Sequence, residues 1–232
     1  AILMGGGLVL FGIGSNVQGG FADFFTGRTS NNSYSDAVNE SAKRVAANPE
    51  NPKAYANLIA DRYSYASVGY NEKTQKFDAK SKLQLKMMID DWKKYKTLAK
   101  KIDLNTASYV VNAYIGREDA KGAQKTQTLI AEVDPNSANY LALMRFALYA
   151  GDSRVTDASE VKARELATKD QIAQVDREIK RMRKLSQQQN AAIQQQIQEQ
   201  FAKQQQQQSG SGTGVGSPFG GLGTGAGTGA GK

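Results

Sequence analysis

Three times along the chain a cluster of small polar residues, twice with proline, opens into an apolar stretch with an aromatic near its start. The clusters are Asn48-Pro49-Glu50-Asn51-Pro52-Lys53-Ala54-Tyr55, Asp103-Leu104-Asn105-Thr106-Ala107-Ser108-Tyr109 and Asp134-Pro135-Asn136-Ser137-Ala138-Asn139-Tyr140. Asp, Asn, Ser and Thr at such a point supply the side-chain acceptor that the first unpaired N–H groups of a helix require. Pro suits the first helical turn, where its missing N–H has no intrahelical partner to lose. A chain that repeats this opening folds as a series of short helices, and short helices hold only by packing on one another. The predicted fold class is therefore all-α. The openings lie about 55 and about 31 residues apart, the kind of self-similarity that marks a repeated supersecondary unit.

The apolar spacing predicts helices near Pro52 to Val68, Lys80 to Lys101, Thr106 to Gly116, Asp119 to Val133 and Ser137 to Ala150. Leu58, Trp92, Ala123 and Leu141 are expected to be buried between them. Upstream, Ala37, Val38, Ala42, Val45 and Ala46 recur at three- and four-residue steps behind a Ser35-Asp36 cap, and Asn48-Pro49 stops that helix. Gly69 to Phe77, full of turn residues, accounts for the extra length between the first two openings.

On these residues the chain resembles the tetratricopeptide repeat family. Ala131 to Asp152 carries that family's Asp-Pro-Asn hinge and its aromatic-Ala-Gly-Asp helix ending. Tyr55 and Leu58 stand at the spacing of its first-helix aromatic and leucine, and Ala123 at its small second-helix position. Trp92 and Arg145 depart from the pattern, each replacing a small residue. The likeness covers Tyr34 to about Thr168, so residues 34–168 are taken as a helical repeat domain. It implies a groove lined by first helices that receives a protein or peptide partner, and it aims Asn57, Tyr63, Asn112 and Phe146 toward that groove. The clamp some members use for a C-terminal carboxylate needs Lys and Asn where this chain has Ala56 and Ala60, which disfavours that ligand.

The two ends differ from the middle. Ala1 to Gly14 holds no charged or hydrogen-bonding side chain, and the next charge is Asp23. As a helix the run covers about 21 Å, short of the ~30 Å hydrocarbon core. Residues 1–16 are therefore expected to be the later part of a single-pass transmembrane anchor whose start precedes Ala1; the alternative is a signal-peptide core. Residues 17–33 read as a flexible linker. Within it Phe21, Phe24 and Phe25 suit either the headgroup interface or a nucleus for collapse. The apolar, Gly-rich anchor followed by a linker and degenerate repeats is similar to a group of bacterial single-pass proteins. That likeness implies the cytoplasmic membrane, with the repeats on the extracytoplasmic side.

Beyond the repeats, Ala158 to about Gln206 is expected to run as one helix, of which residues 169–206 form a basic, Gln-rich segment. Ile172, Val175, Ile179 and Met182 make a coiled-coil-like seam, resumed at Ile193, Ile197 and Phe201. That seam serves either self-association through 169–206 or packing back on the last repeat. Residues 207–232 form a Gly-rich tail with too little apolar area to offset chain entropy, and are expected to be disordered. Its ending, Gly-Thr-Gly-Ala-Gly-Thr-Gly-Ala-Gly-Lys, imitates a phosphate-binding loop. It lacks that motif's first Gly, the Ser or Thr after Lys232, and the flanking strand and helix.

Chemistry is sparse. With no Cys and no His, the chain has neither thiolate chemistry nor the usual neutral-pH base and metal ligand. Asp90 and Asp91 are adjacent, so on a helix they point about 100° apart and cannot converge on one bond. No catalytic residues, metal site or cofactor are expected, and the chain does not read as an enzyme. Its net charge of +8 invites a polyanion, and Arg177 to Lys184 is the densest cationic stretch. No aromatic lies between Tyr149 and Phe201 to stack on bases, which disfavours nucleic acid. The function expected is a membrane-tethered, non-catalytic scaffold that docks a partner protein. A structural spacer of the cell envelope, or nucleic-acid binding through the basic helices, are the alternatives.

Overall fold

A computed structural model describes residues 31–209. Within them the chain runs α1 (Asn31–Ala47), α2 (Pro52–Val68), β1 (Tyr70–Asn71), β2 (Lys76–Phe77), α3 (Ala79–Leu98), α4 (Leu104–Gly116), α5 (Ala120–Val133), α6 (Ser137–Ala150), α7 (Ser153–Glu165) and α8 (Ile172–Ser209). The fold is all-α apart from one small antiparallel hairpin, in which Tyr70 pairs with Phe77 and Asn71 with Lys76.

Six consecutive helices, α2 to α7, start on an Asp or Asn whose side chain accepts a backbone N–H of the first turn. Asn51 Oδ1 accepts from Lys53 at 3.0 Å, Asp78 Oδ1 from Ser81 at 2.7 Å and Asp103 Oδ2 from Thr106 at 2.7 Å. Asp119 Oδ1 accepts from Gly122 at 2.8 Å, Asn136 Oδ1 from Asn139 at 2.9 Å and Asp152 Oδ1 from Val155 at 3.0 Å. The three polar clusters evident in the sequence are thus half of a more regular pattern. Pro52 takes the first turn of α2, and Gly151 closes α6 at φ 72°, a left-handed conformation that glycine adopts without a Cβ penalty.

Each helix up to α7 packs on the one before it, and α2 also packs on α4. Apart from the hairpin segment between α2 and α3, the connections up to α7 are of two to five residues, which sends each helix back along its predecessor. The main core gathers Ile59, Leu85, Met88, Trp92, Val110 and Ala123 from α2 to α5. Trp92 is 1% exposed and stacks on Tyr95 at 5.3 Å between ring centroids. A second core joins Met144 of α6, Ala163 of α7 and Val175, Ile179 and Met182 of α8.

The chain divides into a unit ending at Ser186 and a second unit from Gln187. Within the second, the described side chains are exposed almost throughout, Ile193 and Ile197 included.

The five predicted helices between Pro52 and Ala150 are present, as are the buried Leu58, Trp92 and Ala123. Leu141 is only half-buried; the α6 face turned inward is Leu143, Met144, Phe146 and Ala147. Helix α1 begins at Asn31, inside the stretch read as linker, and places Ser35 and Asp36 in its interior. The Gly69 to Phe77 segment is a hairpin, with Gln75 at φ 54° in its turn.

The single helix expected from Ala158 to Gln206 is broken. Helix α7 ends at Glu165, and Gln171 Oε1 accepts the Thr168 N–H at 3.1 Å, a local cap just ahead of α8. That break lets Val175, Ile179 and Met182 return onto α6 and α7, while Ile172 stays 43% exposed. The anchor at 1–16, the phenylalanines Phe21, Phe24 and Phe25, and the tail from 210 onward lie outside the described residues.

Candidate functional site

The four residues aimed at a groove do not form one exposed surface in the structure. Asn57 and Tyr63 share α2 but stand six residues apart, so their side chains leave the helix roughly 120° from each other. Asn57 is exposed, whereas Tyr63 is 5% exposed inside the main core. Phe146 is 4% exposed and belongs to that same core. Tyr63 and Phe146 are thus packing residues and offer no contact surface, which corrects the expectation drawn from the repeat resemblance.

Tyr63 and Asn112 do meet. The packing of α2 on α4 brings the Asn112 Nδ2 to 3.1 Å from Tyr63 Oη, to which it donates. Tyr109, one turn before Asn112 on α4, stacks on Tyr63 with ring centroids 4.9 Å apart. Burial raises the Tyr63 hydroxyl far above the ordinary tyrosine range, so it stays protonated at any physiological pH. The second amide atom, Asn112 Oδ1, is buried and without a hydrogen-bond partner among the described residues. An acceptor in that state costs about 1–3 kcal/mol. The α2–α4 junction therefore presents an aromatic pair, an amide and one unsatisfied acceptor.

Elsewhere the charged groups have structural partners. Arg62, 6% exposed, donates from Nε to Asp91 Oδ2 at 2.6 Å and from a terminal nitrogen to Gln84 Oε1 at 2.8 Å, tying α2 to α3. Burial raises the Asp91 carboxyl against the opposing pull of Arg62. The adjacent Asp90 turns outward and accepts from Lys93 at 2.7 Å. The two carboxylates are held by different partners on different sides of the helix. The Ser41 hydroxyl donates to the Asp61 carboxylate and so joins α1 to α2.

In the cationic stretch from Arg177 to Lys184, two of the five basic side chains are ion-paired within the fold. Arg183 bonds Glu160 at 2.6 Å and Asp157 at 2.7 Å, and Arg181 bonds Glu178 at 3.4 Å. Arg164 bonds Asp176 at 2.8 Å, so α7 and the start of α8 are stitched by ion pairs above their apolar contact. Along the sequence the run has the look of a charged outer face; its partners on α7 come within reach only once α8 folds back.

A shallow, open hollow lies against the hairpin, lined by Tyr70, Asn71, Thr74, Lys76, Phe77 and Asp78. Among the described residues no group of three His, Cys, Asp or Glu side chains is placed to hold a metal ion, and no helix is long and apolar enough to cross a membrane. Comparisons with protein-family models, curated proteins and solved structures find no match to this chain.

Proposed function

We propose that the protein is a membrane-tethered scaffold whose tetratricopeptide-like helical array docks a protein or peptide partner and performs no chemistry itself. Residues 1–16 hold it in a bacterial cytoplasmic membrane, and the array works on the extracytoplasmic side. The observation that carries this is the α2–α4 junction: two non-consecutive helices lie side by side, as groove-lining helices must, and leave Asn112 Oδ1 buried without a donor among the described residues. An extended peptide brings a backbone N–H at every residue and is suited to fill such a position. Asn57, exposed on α2, supplies a second amide on the same pair of helices.

The test uses the full chain in detergent and a displayed library of random peptides. Selected peptides should bind saturably, and Asn57→Ala combined with Asn112→Ala should weaken them at least tenfold, a loss of about 1.4 kcal/mol, at unchanged helical content. Binding should survive removal of 210–232. Failure to select any saturable peptide, or full affinity in the double variant, removes the groove from the proposal.

A further inference from the structure

Helix α3 carries six lysines and two aspartates in 20 residues, and the structure shows which of these charges are spent. Asp90 is held by Lys93 and Asp91 by Arg62. Among the described residues, Lys80, Lys82, Lys86, Lys94 and Lys96 have no carboxylate within ion-pair distance; Lys96 stands over the Trp92 ring, 5.7 Å from its centre. In the denser run from Arg177 to Lys184, by comparison, Arg183 is matched by two acids of α7 and Arg181 by one of its own helix.

The same outer face holds an exposed apolar pair. Leu83 is 54% exposed, the highest value of any large apolar side chain among the described residues, and Met87, one turn on, is 38% exposed. At about 100° per residue, Lys82, Lys86 and Lys93 fall along one border of this pair and Lys80 along the other, while Lys94 and the Lys93-paired Asp90 continue its line along the helix. The face thus sets two exposed apolar side chains among lysines, most of them uncompensated, over a span of about 21 Å from Lys80 to Lys94.

We propose that this face of α3 lies against an anionic lipid surface. Lysine is depleted at protein–protein interfaces, and a convex helix ridge offers no pocket for a partner's anchor. The aromatics of α3 that would stack on single-stranded bases, Trp92 and Tyr95, are 1% and 3% exposed. Duplex phosphates would satisfy the lysines and leave Leu83 and Met87 facing water. A headgroup layer meets both: the lysines reach phosphates while their stems and the two apolar side chains enter the acyl boundary. This lipid contact shares with the scaffold only the tether at 1–16 and is independent of the groove.

The chain has no cysteine, so Thr97→Cys, exposed on the same face of α3, gives one labelling site for an environment-sensitive fluorophore. The labelled full chain is mixed with vesicles of phosphatidylcholine alone, or of phosphatidylcholine with phosphatidylglycerol. The label should shift to the blue and gain protection from an aqueous quencher only with the anionic vesicles. The shift should vanish near 1 M salt, where the screening length falls to about 3 Å. Lys82→Glu with Lys86→Glu should cut the anionic-lipid response by roughly 30-fold or more, and Leu83→Ser with Met87→Ser should reduce the blue shift. The same label position in both kinds of vesicle, or a response that survives the lysine reversal, overturns the proposal. So does a response to duplex DNA in place of vesicles. Co-flotation with the uncharged vesicles scores the tether separately, so loss of one does not mask loss of the other.

Discussion

At the scale of single residues, three positions give sharp tests. Trp92 fills the junction of the main core, and its removal leaves a cavity that rigid neighbouring helices cannot close. Trp92→Ala should cost about 3–5 kcal/mol in chemical denaturation. Gly122 sits where an added Cβ would meet Tyr114 Cδ1 at 2.2 Å. Helix propensity alone favours Gly122→Ala by about 1 kcal/mol. The clash forces α4 and α5 apart, and the net outcome should be destabilisation by about 1–3 kcal/mol.

Tyr63 supplies a pH test. Its folded pKa is raised above the unfolded value of 10.0, chiefly by burial, and Tyr70, Tyr109, Tyr114 and Tyr149 are raised in the same sense. A group of that kind stabilises fully below its unfolded pKa and loses the contribution as pH climbs toward its folded one. The denaturation midpoint should therefore fall above pH 10, and Tyr63→Phe should make that fall shallower while costing about 1 kcal/mol for the lost Asn112 bond. An equally steep fall in Tyr63→Phe would assign the alkaline loss to other groups.

At the scale of elements, the caps decide where each helix starts. Asp103 Oδ2 accepts both the backbone N–H and the hydroxyl of Thr106, and the Asp103 N–H donates to Tyr95 Oη at 2.9 Å. Asp103→Ala should cost about 1 kcal/mol and fray the first turn of α4, seen as faster amide exchange at Thr106 and Ala107. Caps and apolar spacing are local properties, which is why the helices between Pro52 and Ala150 are legible in the sequence. What is not legible there depends on neighbours. Leu141 and Leu143 differ by two positions on α6, and only the direction from which α7 and α8 approach decides which is buried. The break at Thr168 is signalled by no Pro or Gly; it becomes favourable because Val175, Ile179 and Met182 then find Met144 and Ala163. The candidate site is the least legible part, since analogy of position puts Tyr63 and Phe146 on a surface. The contact of α2 with α4 draws Tyr63 inward instead, and it makes the Asn112 bond that no spacing announces.

At the scale of the whole molecule, the two units carry different expectations. The first contains the ion pairs described above and both apolar cores. A chain truncated after Ser186 should keep its stability to within about 0.5 kcal/mol. Self-association, if present, should be confined to the second unit, because the earlier part of the seam is already buried on α6 and α7. Sedimentation of the full and truncated chains decides this; an oligomer that survives the truncation would place its contact elsewhere. Deleting Ala1 to Asn16 should free the protein from membranes at high salt, and retention in the washed pellet would reveal a second, non-electrostatic attachment.

The neighbour-on-neighbour order of packing also bears on how the chain is made. Each helix up to α7 meets its predecessor as soon as it emerges, while α2 with α4 must wait for an intervening element. Such local wiring favours fast folding, on the scale of microseconds to milliseconds, and allows structure to accumulate from the N-terminal side during synthesis. The last step is different. Until the opening turns of α8 arrive, Met144 and Ala163 lack their cover, so a chain halted near Thr168 carries a bare apolar seam at its growing end. A stalled product of that length would be marked for proteolysis by its own unfinished surface, and the first turns of α8 act as the seal that certifies a finished array.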